Sequence, residues 1–233
     1  MALTFVVTGA SRGLGVEFVK QLSAKGHTVI ACARNPDKSE QLQALVNNKT
    51  VFAVSLDTVK LDSVKAAADK IQELAPSGVD VLINNSGIVG DHTQDVTNAT
   101  GENYINVFET NVVGTSNVTQ ALLPWLRKRN TRKIVNITSI LGSNDFTTTG
   151  SSPAYRISKA AENMLSRGWA GQLGEESFVV LAMHPGWVQT DMGTSKAPVT
   201  PEQSISGMLS VIENMSKETN GKFLSFEGEE LKW

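Results

Sequence analysis

The stretch Leu3-Thr-Phe-Val-Val-Thr-Gly9-Ala-Ser-Arg-Gly13-Leu-Gly15 decides the fold. Its first half is a short run rich in β-branched and aromatic residues, and its glycines lead into a helical pattern over 16–25. The reading is strand, tight glycine turn, helix. Glycines let the backbone pass close to a ligand, and the free N–H groups and positive dipole end of the new helix favour a phosphate there. The turn therefore suits a pyrophosphate. Its spacing, Gly-x-x-x-Gly-x-Gly, departs from the general dinucleotide fingerprint Gly-x-Gly-x-x-Gly, so taken alone it also reads as a plain loop.

Outward from this unit, strand-like apolar runs recur at 3–7, 28–32, 50–55, 79–83, 133–137, 178–182 and 222–224, with helix-like stretches such as 61–74 and 101–128 between them. Alternation of this kind predicts an α/β, doubly wound parallel sheet of about seven strands with helices on both faces. Pro36, Pro76, Pro153 and Pro198 punctuate connections without marking a boundary. A chain of 233 residues, 40% hydrophobic and 19% charged, is long enough for one well-buried unit, so a single domain over 1–233 is expected.

Composition also excludes function classes. The net charge of −2 offers no basic field for nucleic acid. His27, His92 and His184 are scattered without metal-ligand spacing, and no Gly-x-Ser-x-Gly elbow occurs, so neither a metal site nor serine hydrolysis is expected. The one cysteine, Cys32, sits in an apolar strand and is expected to be a small core residue with no redox role. No leader-like or membrane-spanning apolar run is present, and a soluble cytoplasmic protein is expected. The Asn-x-Thr triplets at Asn117 and Asn136 read as accidents of an Asn/Thr-rich sequence, since the second falls inside a buried strand.

The chemistry-bearing feature is Tyr155-Arg-Ile-Ser-Lys159, which puts a phenol and an ammonium four residues apart on one helical face. A free phenol has a pKa of about 10, and each unit of lowering needs roughly 1.4 kcal/mol of preferential phenolate stabilisation. A neighbouring ammonium can supply much of that. On its own, Tyr-x-x-x-Lys is also common on solvated helix faces.

Together, Thr8-Gly-Ala-Ser-Arg-Gly-Leu-Gly15, Asn84-Asn-Ser-Gly87, Asn111, Ser139 and Tyr155-x-x-x-Lys159 resemble the short-chain dehydrogenase/reductase family over nearly the whole chain. The segments 154–161, 184–193 and 221–233 are most similar to the branch holding Sniffer-type carbonyl reductases, C-factor-like proteins and norsolorinic-acid-type ketoreductases. The resemblance implies a Rossmann fold with strand order 3-2-1-4-5-6-7. It also implies a catalytic set of Asn111, Ser139, Tyr155 and Lys159. Tyr155 would exchange a proton with the carbonyl oxygen and Ser139 would orient that oxygen by a hydrogen bond. Lys159 would lower the tyrosine pKa and hold the nicotinamide ribose, and Asn111 would anchor a water linking the lysine to solvent. Ser139 is preferred to Thr138 because residues alternate along the strand and the family's serine is the second of the hydroxyl pair.

Cofactor choice turns on two arginines. NAD sites place an acidic residue near the end of the second strand, whereas a 2′-phosphate needs a cation. Arg34 occupies that place, and Arg12 in the glycine turn can close on the same phosphate. NADP(H) is predicted, although Arg34 is also compatible with the start of a solvated loop. By resemblance, Gly9, Ser11, Arg12, Gly13, Leu14, Gly15, Arg34 and Asp57 contact the cofactor, as do Asn84, Asn85, Ser86, Gly87, Tyr155, Lys159, Pro185, Gly186, Val188 and Thr190. Ser86 stands where the family usually has alanine. Trp187 reads equally as pocket lining or packing. The loop 142–150 lengthens the usual interval between Ser139 and Tyr155, and it either folds out at modest entropic cost or covers the substrate with Asn144 or Phe146.

The expected function is NADPH-dependent, reversible reduction of an aldehyde or ketone. The alternatives are a ketoreductase dedicated to one secondary metabolite and a non-catalytic NADP(H)-sensing signalling protein. Family members pair as dimers or tetramers through helices corresponding to 101–128 and 154–173, so self-association is expected. The small residues Ala160, Ala161, Ala170 and Gly171 permit such contact and equally suit packing on the sheet.

Overall fold

Seven strands lie side by side in parallel in a computed structural model that describes residues 2–233. They are β1 (Thr4–Thr8), β2 (Thr28–Ala33), β3 (Val51–Ser55), β4 (Val81–Asn84), β5 (Lys133–Ile137), β6 (Val179–His184) and β7 (Phe223–Ser225). The order across the sheet is β3-β2-β1-β4-β5-β6-β7, as the resemblance implied. The helices are α1 (Gly13–Ala24), α2 (Glu40–Gln43), α3 (Leu61–Leu74), α4 (Gly101–Phe108), α5 (Gly114–Leu126), α6 (Pro153–Leu173) and α7 (Pro201–Glu213).

The register explains why the strands read as continuous apolar runs. Val6 pairs with Ile30 and Leu82, Leu82 with Ile134, and Ile134 with Val180, and all of these face one layer. Their chain neighbours Val7, Ala31, Ile83, Val135 and Leu181 face the other. The two-residue period thus divides each strand between two cores. One core is closed by Phe18 and Leu22 of α1 with Ile205 and Leu209 of α7. The other is closed by Ile71 of α3, Leu122 of α5 and Leu173 of α6. Cys32 lies in the second, where burial pushes its thiol up to about 12 and leaves it unreactive.

Two local departures from the sequence reading matter for the site. The helix expected over 101–128 is interrupted by one wide π turn, Glu109–Val113, between α4 and α5. The freed carbonyl of Asn111 is satisfied by the Thr115 hydroxyl at 2.8 Å, and such turns are frequent at functional positions. Helix α1 begins at Gly13 rather than at 16, so the glycine turn itself forms its first turn. The C-terminal tail folds back on the edge strand β7: Leu231 N donates to the Phe223 carbonyl, and Trp233 stacks on the Phe223 ring. An otherwise open sheet edge is thereby covered. No helix among the described residues is long and apolar enough to cross a membrane.

Asp80 ties three chain segments together at the strand N-terminal end. Its buried carboxylate accepts from Thr4 N at 2.9 Å, Arg129 Nε at 2.9 Å and the Thr131 hydroxyl at 2.8 Å. Asp80→Ala should destabilise the protein by about 2–4 kcal/mol, because it strands three donors at once. Chemical denaturation would check this, with Arg129→Ala, whose side chain is partly exposed, expected to cost clearly less.

Candidate active site

The sheet order reverses at β1, whose neighbours are β2 and β4, and the C-terminal ends of these strands open a crevice between their loops. A cleft of about 440 Å³ lies there. Its floor is the glycine turn, Gly9 and Ser11 to Gly15, and its walls include Arg34, Asp57, Asn85 to Gly87, Tyr155, Lys159, Pro185 and Thr190. These are fifteen of the positions that sequence reasoning proposed, gathered from the ends of five strands and from α6. Asn84, Asn111, Ser139, Gly186 and Val188 do not line the cleft.

The glycine turn is shaped by absence of side chains. Gly9 and Gly13 have φ of 65° and 54°, the left-handed region. A Cβ on Gly15 would collide with the Gly9 carbonyl oxygen and the Ala10 Cα, and one on Gly9 would meet the Ser86 Cα at 2.9 Å. The turn is pinned to the loop after β4 by the Thr8 hydroxyl, which accepts from the N–H groups of Asn85 and Ser86, both at 3.0 Å. Asn85 Nδ2 returns a bond to the Thr8 carbonyl at 2.9 Å. The backbone cradle at the N-terminus of α1 is therefore preformed and suited to a phosphate.

Two cations stand over this cradle. Arg34 is exposed and Arg12 pairs with Asp191 at 3.0 Å across the cleft mouth. Both partners of that pair are more than 70% exposed, so it is weak and easily exchanged for a dianion.

At the opposite end, α6 brings Tyr155 and Lys159 to the same wall. Pro153 starts the helix at a position where its missing N–H costs nothing. Lys159 Nζ lies 5.8 Å from the Tyr155 ring centre and is almost fully buried. It donates to the Ile137 carbonyl at the end of β5 at 2.8 Å and to Glu162 Oε2 at 2.6 Å. Burial alone would lower this lysine, but Glu162, with Tyr155 adding to it, outweighs burial and holds it above the ordinary range. Burial pushes the Glu162 carboxyl up, and Lys159 pulls it back in part. Burial also pulls His184 down to about 4, so it is neutral beside the cleft.

Ser139 caps the turn Ile140–Gly142, its Oγ accepting from Leu141 N at 3.1 Å. That bond leaves the hydroxyl proton free to be given to a ligand. Thr138, which the sequence argument set aside, does line the cleft, and its buried hydroxyl has no partner among the described residues. Asn111 sits in the wide turn, fully buried. Its side chain bonds both the N–H and the carbonyl of Ile88 and donates to the Ser158 hydroxyl. It thus fixes the loop after β4 to α6 from beneath the cleft. Asn84 turns into the core, donating to Thr119 and Asn136. Gly186, with φ of 85°, packs its Cα side on Phe226, and Val188 is buried in a bridge to Val199.

The residue that sequence reasoning missed is Glu162. Its only signal is the i, i+3 spacing from Lys159 on a helix face that also carries Tyr155. Trp187 is about half exposed and donates to the Gly193 carbonyl, so it braces the loop after β6. The loop 142–150 is anchored at Asp145, which pairs with Lys232 at 3.2 Å and bonds the Trp233 carbonyl through its N–H. Asn144 and Phe146 within it are exposed.

A sequence model described as short chain dehydrogenase matches residues 3–200. The solved NADPH-bound carbonyl reductase from chicken fatty liver is 35% identical, with a TM-score of 0.92 over 100% of this chain and 99% of that one. The carbonyl reductase Sniffer of D. melanogaster is 28% identical, with a TM-score of 0.95 over 100% of both chains. The C-signal of Myxococcus xanthus is 42% identical over 66% of this chain and 93% of its own.

Glycine substitutions separate the cradle from ordinary helix. Gly15→Ala should lower stability by about 1–3 kcal/mol through overpacking against the Gly9 carbonyl. Gly168→Ala in α6, where a Cβ meets nothing within 4 Å, should raise it by roughly 0.5–1 kcal/mol. Thermal melting of the two variants beside the parent checks both signs.

Proposed function

The chain belongs to the short chain dehydrogenase family, and from that membership we propose that it is an NADPH-dependent reductase of aldehydes or ketones. The whole of residues 1–233 acts as one catalytic unit in this reading. The observation that carries it is the cleft that joins a phosphate cradle under two arginines to a wall holding Tyr155 and Lys159. Two structural neighbours are carbonyl reductases, one of them solved with NADPH bound, and both support the same assignment.

The cradle fits the cofactor by shape, since side chains on Gly9 or Gly15 would fill it, and by charge, since Arg12 and Arg34 face its rim. The turn Gly9–Gly15 would hold the pyrophosphate, and Arg12 and Arg34 the 2′-phosphate. Asp57 and Asn85 to Gly87 would flank the adenosine, and Pro185, Gly186, Val188 and Thr190 the nicotinamide side. When bound, NADPH supplies the hydride. The rest is done by the chain. Tyr155 donates its phenolic proton to the carbonyl oxygen, and a hydroxyl at the end of β5 gives that oxygen a hydrogen bond, either Ser139, whose cap leaves its proton free, or Thr138, whose unpartnered hydroxyl lines the cleft. Lys159 offers the developing phenolate a positive charge from a site where little water competes. Asn111 keeps the loop after β4 and helix α6 in register. Self-association would use α4, α5 and α6, with apolar side chains exposed at Ile105 and Phe108 of α4 and at Ile157 and Met164 of α6.

A signalling role is the second reading, favoured by the similarity to C-signal. The cleft speaks for chemistry, because a sensor needs no phenol beside an ammonium.

NADPH oxidation followed by absorbance with a panel of aldehydes, diketones, quinones and aromatic ketones tests the proposal. Tyr155→Phe should lose about 100- to 10,000-fold in turnover while NADPH binding is retained. Equal activity in the variant, or silence of the parent across the panel, would count against the reductase reading. Arg34→Asp should lower kcat/KM for NADPH by roughly 10- to 100-fold, the weight of one charge-assisted bond, and spare NADH.

A further inference from the structure

The proposed reaction leaves one buried charge beside the cleft without a role. Glu162 lies one turn beyond Lys159 on α6, entirely removed from solvent, with Oε2 at 2.6 Å from Lys159 Nζ. The same Nζ donates to the Ile137 carbonyl at 2.8 Å. Two of the three ammonium protons are thereby committed, and the third remains for the cleft, which Lys159 lines. The other oxygen of Glu162 faces the Thr115 hydroxyl at 3.2 Å, and that hydroxyl lies 2.8 Å from the Asn111 carbonyl. The lysine is therefore held from two sides, by the end of β5 and by its own helix, and its carboxylate partner shares the single proton of the Thr115 hydroxyl with the Asn111 carbonyl.

Without a partner, a buried ammonium gives up its proton, because burial disfavours the charged form. From α6 the titratable groups facing Glu162 are Lys159 and, beyond it, Tyr155. From β5 and α5 come only the Ile137 carbonyl and the Thr115 hydroxyl.

We propose that Glu162 is a positioning residue for this site: its carboxylate is the counter-charge that keeps Lys159 an ammonium, aimed at the cleft, in a wall closed to water. The inference rests on the reductase reading for the use made of Lys159, but its main test needs neither substrate nor cofactor.

With Glu162 present, the raised lysine contributes stability below its unfolded value and loses it as pH climbs past. In Glu162→Gln the main opposing charge is gone, so burial outweighs what Tyr155 adds and the native lysine falls below its unfolded value. The native state then binds fewer protons than the unfolded state, so stability rises with pH. The melting deficit of Glu162→Gln against the parent should therefore shrink by about 3 °C per pH unit between about pH 6 and about pH 9. The double variant Lys159→Met/Glu162→Leu, which carries neither charge, should melt without that pH dependence. A deficit that stays constant with pH, or a Glu162→Gln chain that folds at no pH while the double variant folds, would overturn the proposal in favour of simple packing.

Turnover supplies the second arm. The kcat/KM of Glu162→Gln for carbonyl reduction should approach that of the parent on the acid side and fall up to about tenfold per pH unit above the lowered lysine value. A constant ratio across pH would again overturn it. A parent that reduces no carbonyl at all would tell against the reductase reading, with the melting experiment still deciding the role of Glu162.

Discussion

The Tyr155 end of the cleft depends on the approach of α6 to the end of β5, expressed as the bond from Lys159 Nζ to the Ile137 carbonyl. A strand-end carbonyl has no further sheet partner and accepts readily, and an ammonium is a stronger donor than a neutral N–H. For the bond to form, the chain leaving β5 must pass directly over the helix. Gly142 permits this, since a Cβ there would lie 2.5 Å from the Lys159 carbonyl carbon and 2.6 Å from Ala160 N. The turn Ile140–Gly142 therefore rests on α6 backbone, and Ser139, which caps that turn, is fixed relative to Tyr155 and Lys159 by the same contact. One absent side chain thus sets the spacing of Ser139, Tyr155 and Lys159.

The sequence was most legible where function follows from local spacing. Gly9 and Gly13 mark a turn by their left-handed φ, and Gly15 by leaving no room for a Cβ. Tyr155 and Lys159 meet because four residues are about one helical turn. The strands were legible because a parallel sheet buried on both faces writes itself as unbroken apolar runs. What escaped notice depends on tertiary placement. The wide turn at Glu109–Val113 inserts a residue without disturbing the apolar pattern enough to reveal it, so Asn111 was read on a regular helix. Thr138 and Ser139 cannot be ranked by alternation, because the strand ends at Ile137 and the alternation ends with it. Glu162 looks like any solvated acid until the burial of its helix face is known.

Side-chain polarity in the layer between α5 and α6 has a physical reason. Asn84 donates to Asn136 and Thr119, Asn136 donates to Ser166, and Ser166 donates to the backbone carbonyl of Glu162. From Glu162 the series passes to Thr115, to the Asn111 carbonyl and, through the Asn111 side chain, to Ser158 and the Tyr155 carbonyl. The links that join different elements, from Asn84 to Thr119 and Asn136, Asn136 to Ser166, Thr115 to Glu162 and Asn111 to Ser158, are all buried. Apolar side chains tolerate sliding by a fraction of a turn, whereas a buried polar atom that loses its partner costs about 1–3 kcal/mol. A row of such atoms therefore penalises any other register of α5 against α6.

That penalty matters because the groups arranged around Lys159 sit on two elements, not one. Asn111 and Thr115 belong to the helix that follows β4, whereas Tyr155, Lys159 and Glu162 belong to α6. A slip of either helix would part Lys159 from its carbonyl or Glu162 from its hydroxyl, and the ammonium would be left in a wall without compensation. Two apolar cores are sufficient to hold the sheet and helices together. The polar seam adds a constraint that apolar packing lacks, and it runs from mid-sheet to the wall of the cleft that holds Tyr155 and Lys159.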